Sequence, residues 1–151
     1  MELIDVDIIK NSAANFNLMQ ESALADHIIN SQGLEFYHLY VKAHNKSKNL
    51  PYHNEYKMYC TVLNVYEAAL YHDIDPEDRR SLLVGAMFHD FNHVGGIYND
   101  HKSIKNALDG LYCAHQFVKS VTAHKPMCGD YYAQLTKEEL FCATEIIRAT
   151  K

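Results

Sequence analysis

The feature that most constrains this chain is the recurrence of apolar residues at three- and four-residue intervals along nearly its whole length, interrupted at a few polar or glycine-bearing points. Such spacing places side chains on one face of an α-helix, whereas the two-residue alternation of a half-buried strand is hard to find. The predicted class is therefore all-α, a bundle of amphipathic helices packed on one another. Phe16, Leu18, Met19, Ala23, Leu24, Ile28 and Ile29 outline a first helix, closed near Ser31-Gln32-Gly33; Phe36, Leu39, Tyr40, Val41 and Ala43 outline a second. Lys46 to Pro51 reads as a loop by composition. A third helix starts near His53 and carries Tyr59, Val62, Leu63, Tyr66, Ala69 and Leu70, and its length suggests a central position.

Capping chemistry marks the later boundaries. Asp75 followed by Pro76, Glu77 and Asp78 combines a carboxylate cap, proline at the first helical position and acids at the positive end of the helix dipole. A buried helix over Glu77 to Phe91 follows, ended by Gly95-Gly96. Asp100 caps the next helix, from about Lys102 to Val121, and Thr136-Lys137-Glu138-Glu139 forms a capping box for the last, which carries Leu140, Phe141, Ile146 and Ile147. His124 to Gln134, with Pro126 and Gly129, reads as one loop. No repeat, low-complexity tract or linker divides the chain, so residues 1–151 are expected to form a single domain.

Fourteen Lys plus Arg against nineteen Asp plus Glu give a formal charge of -5. No stretch gathers a basic stripe, which argues against binding duplex nucleic acid. Cys60, Cys113, Cys128 and Cys142 form no C-x-x-C pair, and the first residues lack the basic and apolar regions of a signal peptide; a reducing, cytoplasmic setting is expected. Apolar runs such as Leu82 to Phe88 fall far short of the ~20 residues of a membrane span. Ten histidines, in a chain whose charge balance gives no other reason for them, point toward metal or acid-base chemistry.

Two segments concentrate that chemistry. His89-Asp90-Phe91-Asn92-His93-Val94-Gly95-Gly96, at the end of a buried helix, offers imidazole nitrogens and a carboxylate able to bridge two cations. His93 is expected one helical turn beyond His89, on the same face. In Tyr52-His53-Asn54-Glu55-Tyr56-Lys57, His53 and Lys57 are four residues apart and share a helix face.

Together the segments resemble the HD-domain metal phosphohydrolases, and among them most closely the class I cyclic nucleotide phosphodiesterases, which carry Y-H-N-x-x-H before one helix and H-D-x-x-H-x-G after another. Leu135-Thr136-Lys137-Glu138-Glu139 and Ile146-Ile147-Arg148-Ala149-Thr150 are similar, more weakly, to later stretches of that family. The likeness runs from about Pro51 onward; residues 1 to 50 have no counterpart. The resemblance implies an HD/phosphodiesterase-like helical bundle in which the segments of His53 and His89 face each other across a site. It makes His89 and Asp90 metal ligands, with Asp90 bridging, His53 the general acid, and His93 a catalytic histidine beside the nucleophilic hydroxide. Tyr52, Asn54 and Lys57 are assigned to the substrate side. The implied cofactor is a divalent metal (Mg, Mn, Zn or Fe), as one or two ions, and the implied partner is a small nucleotide.

The pattern departs from the family at two points. Lys57 stands where a ligand histidine is expected, and a protonated ammonium cannot coordinate a cation. Either the site holds fewer metals, or His53 is itself the ligand, or the lysine replaces a charge by pairing with Asp90. The family's last aspartate ligand and the helices around it would lie beyond Lys151, leaving Asp100, Asp109 and Asp130 as substitutes that spacing does not choose between. The expected function is a metal-dependent phosphohydrolase acting on a nucleotide, a phosphodiester such as a cyclic nucleotide, through a metal-held hydroxide. The alternative is a degenerate relative that binds a nucleotide or protein partner without turnover; a di-iron oxygenase is least favoured. His27, His38, His44, His72, His115 and His124 are expected to be surface or satisfied core residues, and Tyr56, Tyr59 and Tyr66 mostly core packing. His101 is a weak candidate for phosphate contact.

Overall fold

The structure, a computed structural model, describes residues 20–47, 50, 53–96 and 100–150. Among these the chain is mainly helical: α1 over 20–31, α2 at Glu35–His44, α3 at Glu55–Tyr71, α4 at Pro76–Phe88, α5 at His101–Val121 and α6 at Lys137–Arg148. The all-α expectation holds. Residues 16–19 of the predicted first helix, and Tyr52, lie outside the described residues.

Local chemistry accounts for most boundaries. At the end of α1, Gly33 sits at φ +70, the left-handed region that favours glycine, while Gly33 N–H donates to Asn30 O and Leu34 N–H to Ile29 O. These paired bonds satisfy carbonyls that the helix end would otherwise leave orphaned. Asn54 caps α3 by accepting from the Lys57 amide, and Asp100 caps α5 by accepting from Ser103. Thr136 and Glu139 make both bonds of the predicted capping box. Asp75 precedes α4 with Pro76 at its first turn, but its side chain makes no capping bond, so proline and the helix dipole set that start.

The centre of the bundle is α4 rather than the longer α3. It packs against α2, α3, α5 and α6, and eight of its thirteen residues are buried. Length misled the sequence reading because a long helix can lie along a surface, whereas α4 has apolar side chains around most of its circumference. Leu83, Val84, Met87 and Phe88 of α4 meet Ile29, Tyr37, Val41, Val62, Leu111, Val118 and Ile147 in one core. The Tyr37 hydroxyl donates to His115 Nδ1 at 2.8 Å and accepts the Leu135 amide at 2.9 Å. His38 is likewise a satisfied core histidine, 3.3 Å from the Tyr59 hydroxyl. Tyr59 and Tyr66 pack in or against the core, but Tyr56 is exposed.

Two further departures matter. The segment read as one loop contains a two-stranded ribbon, β1 at Met127–Cys128 and β2 at Tyr131–Tyr132, joined through Gly129 at φ +62. Strands this short are below what alternation can reveal. The ribbon is held from below by Arg80, which reaches the Tyr132 and Gln32 carbonyls and pairs with Glu139 of α6 at 3.0 Å. The second departure is the end of α4, which stops at Phe88 and not Phe91. The Phe91 ring lies against Gly110 of α5, where a Cβ would collide with it. Burial of that ring continues the apolar pattern after the backbone has left the helix.

Candidate metal centre

Because α4 ends early, His89 to His93 form successive tight turns. Phe91 N–H donates to Phe88 O, and His93 N–H donates to Asp90 O. Asn92 occupies φ +52, a left-handed conformation that asparagine tolerates better than most residues. The α2–α3 loop fixes this geometry. Asn92 Oδ1 accepts the Lys46 amide at 2.7 Å, Asn45 Oδ1 accepts the Asn92 amide at 3.0 Å, and the Ser47 hydroxyl lies 3.0 Å from the Asp90 carbonyl oxygen. From α5, the Asn106 amide group donates to the Asn92 carbonyl at 2.9 Å. Asn45, Ser47, Asn92 and Asn106 escaped the sequence reading. Only the loop composition and the polar residues of the His89-Asp90-Phe91-Asn92 stretch hinted at such bonding.

The turns bring the Asp90 carboxylate under the start of α3. Its Oδ2 is 3.0 Å from His53 Nδ1, 3.2 Å from His89 Nε2 and 3.5 Å from Lys57 Nζ. The segments of His53 and His89 therefore face each other. His93 reaches the same place by stacking on His53, with ring centroids 3.6 Å apart and planes inclined by 17°. His93 arrives through the turn at Asn92 and not along a continued helix face, which corrects the predicted reason for its position. Asn54 spends its side-chain oxygen on the α3 cap. Tyr52 lies outside the described residues. Asp109 pairs with Lys105 on the surface and Asp100 caps α5, so among the described residues neither joins Asp90.

His53, Asp90 and His93 are all buried, with ligand atoms within 4.8 Å of one another, and form a group that can hold a metal ion. This set shares Asp90 with the sequence-predicted pair and has His53 and His93 in place of His89, which approaches the same Asp90 oxygen as His53. Both Asp90 oxygens are buried, and among the described residues neither accepts a hydrogen bond. Leaving a buried carboxylate in this condition is costly unless a cation meets it. Neighbouring ligands on one small divalent ion stand about 3 Å apart, given bonds near 2.1 Å, and the contacts to His53 and His89 match that spacing. The donor set fits a divalent cation.

Proton positions refine the roles. His89 Nδ1 lies 2.7 Å from the Ala86 carbonyl oxygen, which can only accept, so Nδ1 carries a proton; Nε2, 3.2 Å from Asp90 Oδ2, donates to the carboxylate when it is protonated and offers a lone pair to a cation when it is not. His93 Nδ1 accepts from the Gly95 amide at 3.0 Å, so the neutral ring carries its proton on Nε2. In that state His93 is a donor, and it joins His53 and Asp90 as a ligand only when Nδ1 gives up the Gly95 amide or Nε2 loses its proton. Lys57 Nζ lies 3.3 Å from His53 Nδ1 as well as close to Asp90, so its ammonium is shared between the nitrogen and the carboxylate as a cation would be. Burial pushes the Asp90 carboxyl up, but His89, then His53 and Lys57, outweigh burial and hold it well below the usual carboxylate range.

No helix among the described residues is long and apolar enough to cross a membrane. The four cysteines are free. No family model, curated protein or solved structure matches this chain.

Proposed function

We propose that this cluster is the centre of a metal-dependent phosphohydrolase acting on a nucleotide, in particular a phosphodiester such as a cyclic nucleotide. The observation that supports it most directly is Asp90, a buried ionised carboxylate whose Oδ2 has the imidazole nitrogens of His53 and His89 at ligand spacing and the Lys57 ammonium at 3.5 Å. The nucleotide and the reaction class rest on the resemblance of the His53 and His89-Asp90 segments to HD-domain phosphohydrolases. A divalent cation at Asp90 would supply the Lewis acidity that activates water and neutralises phosphoryl charge. The chain's own groups do the rest. His89 and Asp90 would hold such an ion, His53 is placed to give a proton to the departing oxygen, and His93 to orient water through its Nε2–H. Lys57 adds a fixed positive charge that offsets part of the phosphoryl charge, so one ion and one ammonium take the place of two ions.

Lys57 also supports a second reading. Its ammonium already bridges His53 Nδ1 and Asp90 Oδ2. A site closed in this way would bind a nucleotide or a protein partner without turnover. Elemental analysis of protein purified without chelator, beside Lys57→His, separates the two. Metal near one equivalent in the parent, with cyclic-nucleotide hydrolysis lost in Asp90→Asn, is expected for the hydrolase. An empty parent and a metal-loaded Lys57→His variant would establish the second reading in its place.

A further inference from the structure

Beyond the cation cluster, on the outer side of His93, the structure contains an open cleft of about 390 Å³ lined by Lys46, Ser47, Asn92, His93, Lys102 and Asn106 together with two apolar residues. The volume lies within the range of about 300 to 1,000 Å³ common for small-molecule sites. Its charge runs against that of the whole protein. Acidic residues exceed basic ones in the chain, yet among the described residues the cleft lining contains two lysines and no carboxylate. The open groove between α1 and α2, of similar size, shows the ordinary mixture, with Asp26 and Glu35 beside Lys42 and His38.

The cleft wall is also pre-built. Asn92 is bonded at three places, to the Lys46 amide, to Asn45 and to the Asn106 side chain. These bonds hold the backbone of Lys46 and the Asn106 side chain against the turn that carries His93. Lys102 comes from the first turn of α5, whose Asp100 cap is occupied by the Ser103 amide. Asp100 is also close enough to His93 for that imidazole to help lower its carboxyl pKa. His93 lines the cleft and stacks on His53, so the cleft and the cation cluster have that imidazole in common.

We propose that the cleft is an anion subsite, taking a phosphate group of the ligand through Lys46 and Lys102 with amide donors from Asn92 and Asn106. The identity of the ligand rests on the phosphohydrolase reading, but the subsite stands on its own residues. If both hold, the substrate carries a charged phosphate besides the phosphoryl group at Asp90. That favours a nucleotide with more than one phosphate group over a cyclic monophosphate.

The test is titration of inorganic phosphate into the whole chain at low salt and without divalent cation, followed by amide chemical shifts and calorimetry. Expected are saturable shifts centred on Asn92, Lys102 and Asn106, with affinity reduced at least tenfold in Lys46→Ala/Lys102→Ala. Lys102→Glu should abolish the shifts, while Lys42→Ala, in the groove between α1 and α2, should change affinity less than twofold. Shifts confined to Lys57 and His53, loss of binding in Lys57→Ala with the double lysine variant unaffected, or no saturable binding would each overturn the proposal. Because the titration uses neither metal nor turnover, a protein that binds phosphate here yet takes up no cation would defeat the hydrolase reading alone.

Discussion

Two buried carboxylates, Asp90 and Glu139, are 6% and 3% exposed, and the fold treats them oppositely. Both Glu139 oxygens accept from Arg80 Nη1 at 3.0 Å, and Oε1 also takes the Thr136 amide. Arg80 in turn donates from Nε and Nη2 to backbone carbonyls of the α1–α2 turn and the ribbon. That network is closed, and it ties α4 to α6 and to two loops. Asp90 has more nitrogens around one oxygen but no completed hydrogen bond among the described residues. A carboxylate whose lone pairs are all used has a structural role. One with nitrogens gathered around a single oxygen, an ammonium among them, keeps lone pairs open to a cation.

Breaking the closed network should have the largest effect on folding. Arg80→Leu leaves Glu139 buried without its cation, and a loss of about 3 to 5 kcal/mol is expected in urea unfolding. An unchanged midpoint would show that the pair is dispensable.

The His38 network offers an intermediate case, a buried histidine without a fixed positive charge. Burial pushes His38 down to about 4 from 6.5, opposed by Asp26 and reinforced by Lys42. Tyr59, the other group in contact, donates to Glu55 and can take a hydrogen bond from His38 Nε2. The folded pKa lies below the unfolded one, so stability is complete above pH 6.5. It falls between 6.5 and 4 as the unfolded chain takes up a proton that the folded chain refuses, by about 3 kcal/mol in all. His38→Gln should flatten the stability profile over that interval; a profile with the same slope in the variant would assign the effect to other groups.

Sharpening the contrast from the other side, a divalent cation at 100 times its dissociation constant should stabilise the parent by about 2.7 kcal/mol. Manganese added during thermal unfolding should raise the melting temperature of the parent and of Thr136→Ala, but not of Asp90→Asn. The same shift in Asp90→Asn would place the ion elsewhere. The smallest expected effect is that of Thr136→Ala itself, which removes one bond of the α6 capping box and should cost about 1 kcal/mol.

The sequence was most legible where structure is local. Gly33, Asn54, Asp100 and the Thr136–Glu139 box act within a few residues of themselves, so the chain carries their signals without reference to the rest of the fold. The approach of His53 to Asp90 was readable only through two motifs taken together. The end of α4 was not readable, since Phe91 continues the apolar spacing while its ring is spent against Gly110. The roles of Asn45, Ser47 and Asn106 were equally hidden, because their partners lie 14 to 47 residues away.

What the sequence by itself determined is the helical class, most helix ends and the residue types available for cation chemistry, because periodicity and capping are properties of neighbouring residues. Tertiary structure alone decided that α4 is central, that His93 returns through a left-handed turn to stack on His53, and that Lys57 shares Asp90 with the imidazoles. Those outcomes depend on which surfaces exclude water together and on where buried polar atoms find partners, and neither is fixed until distant segments have packed.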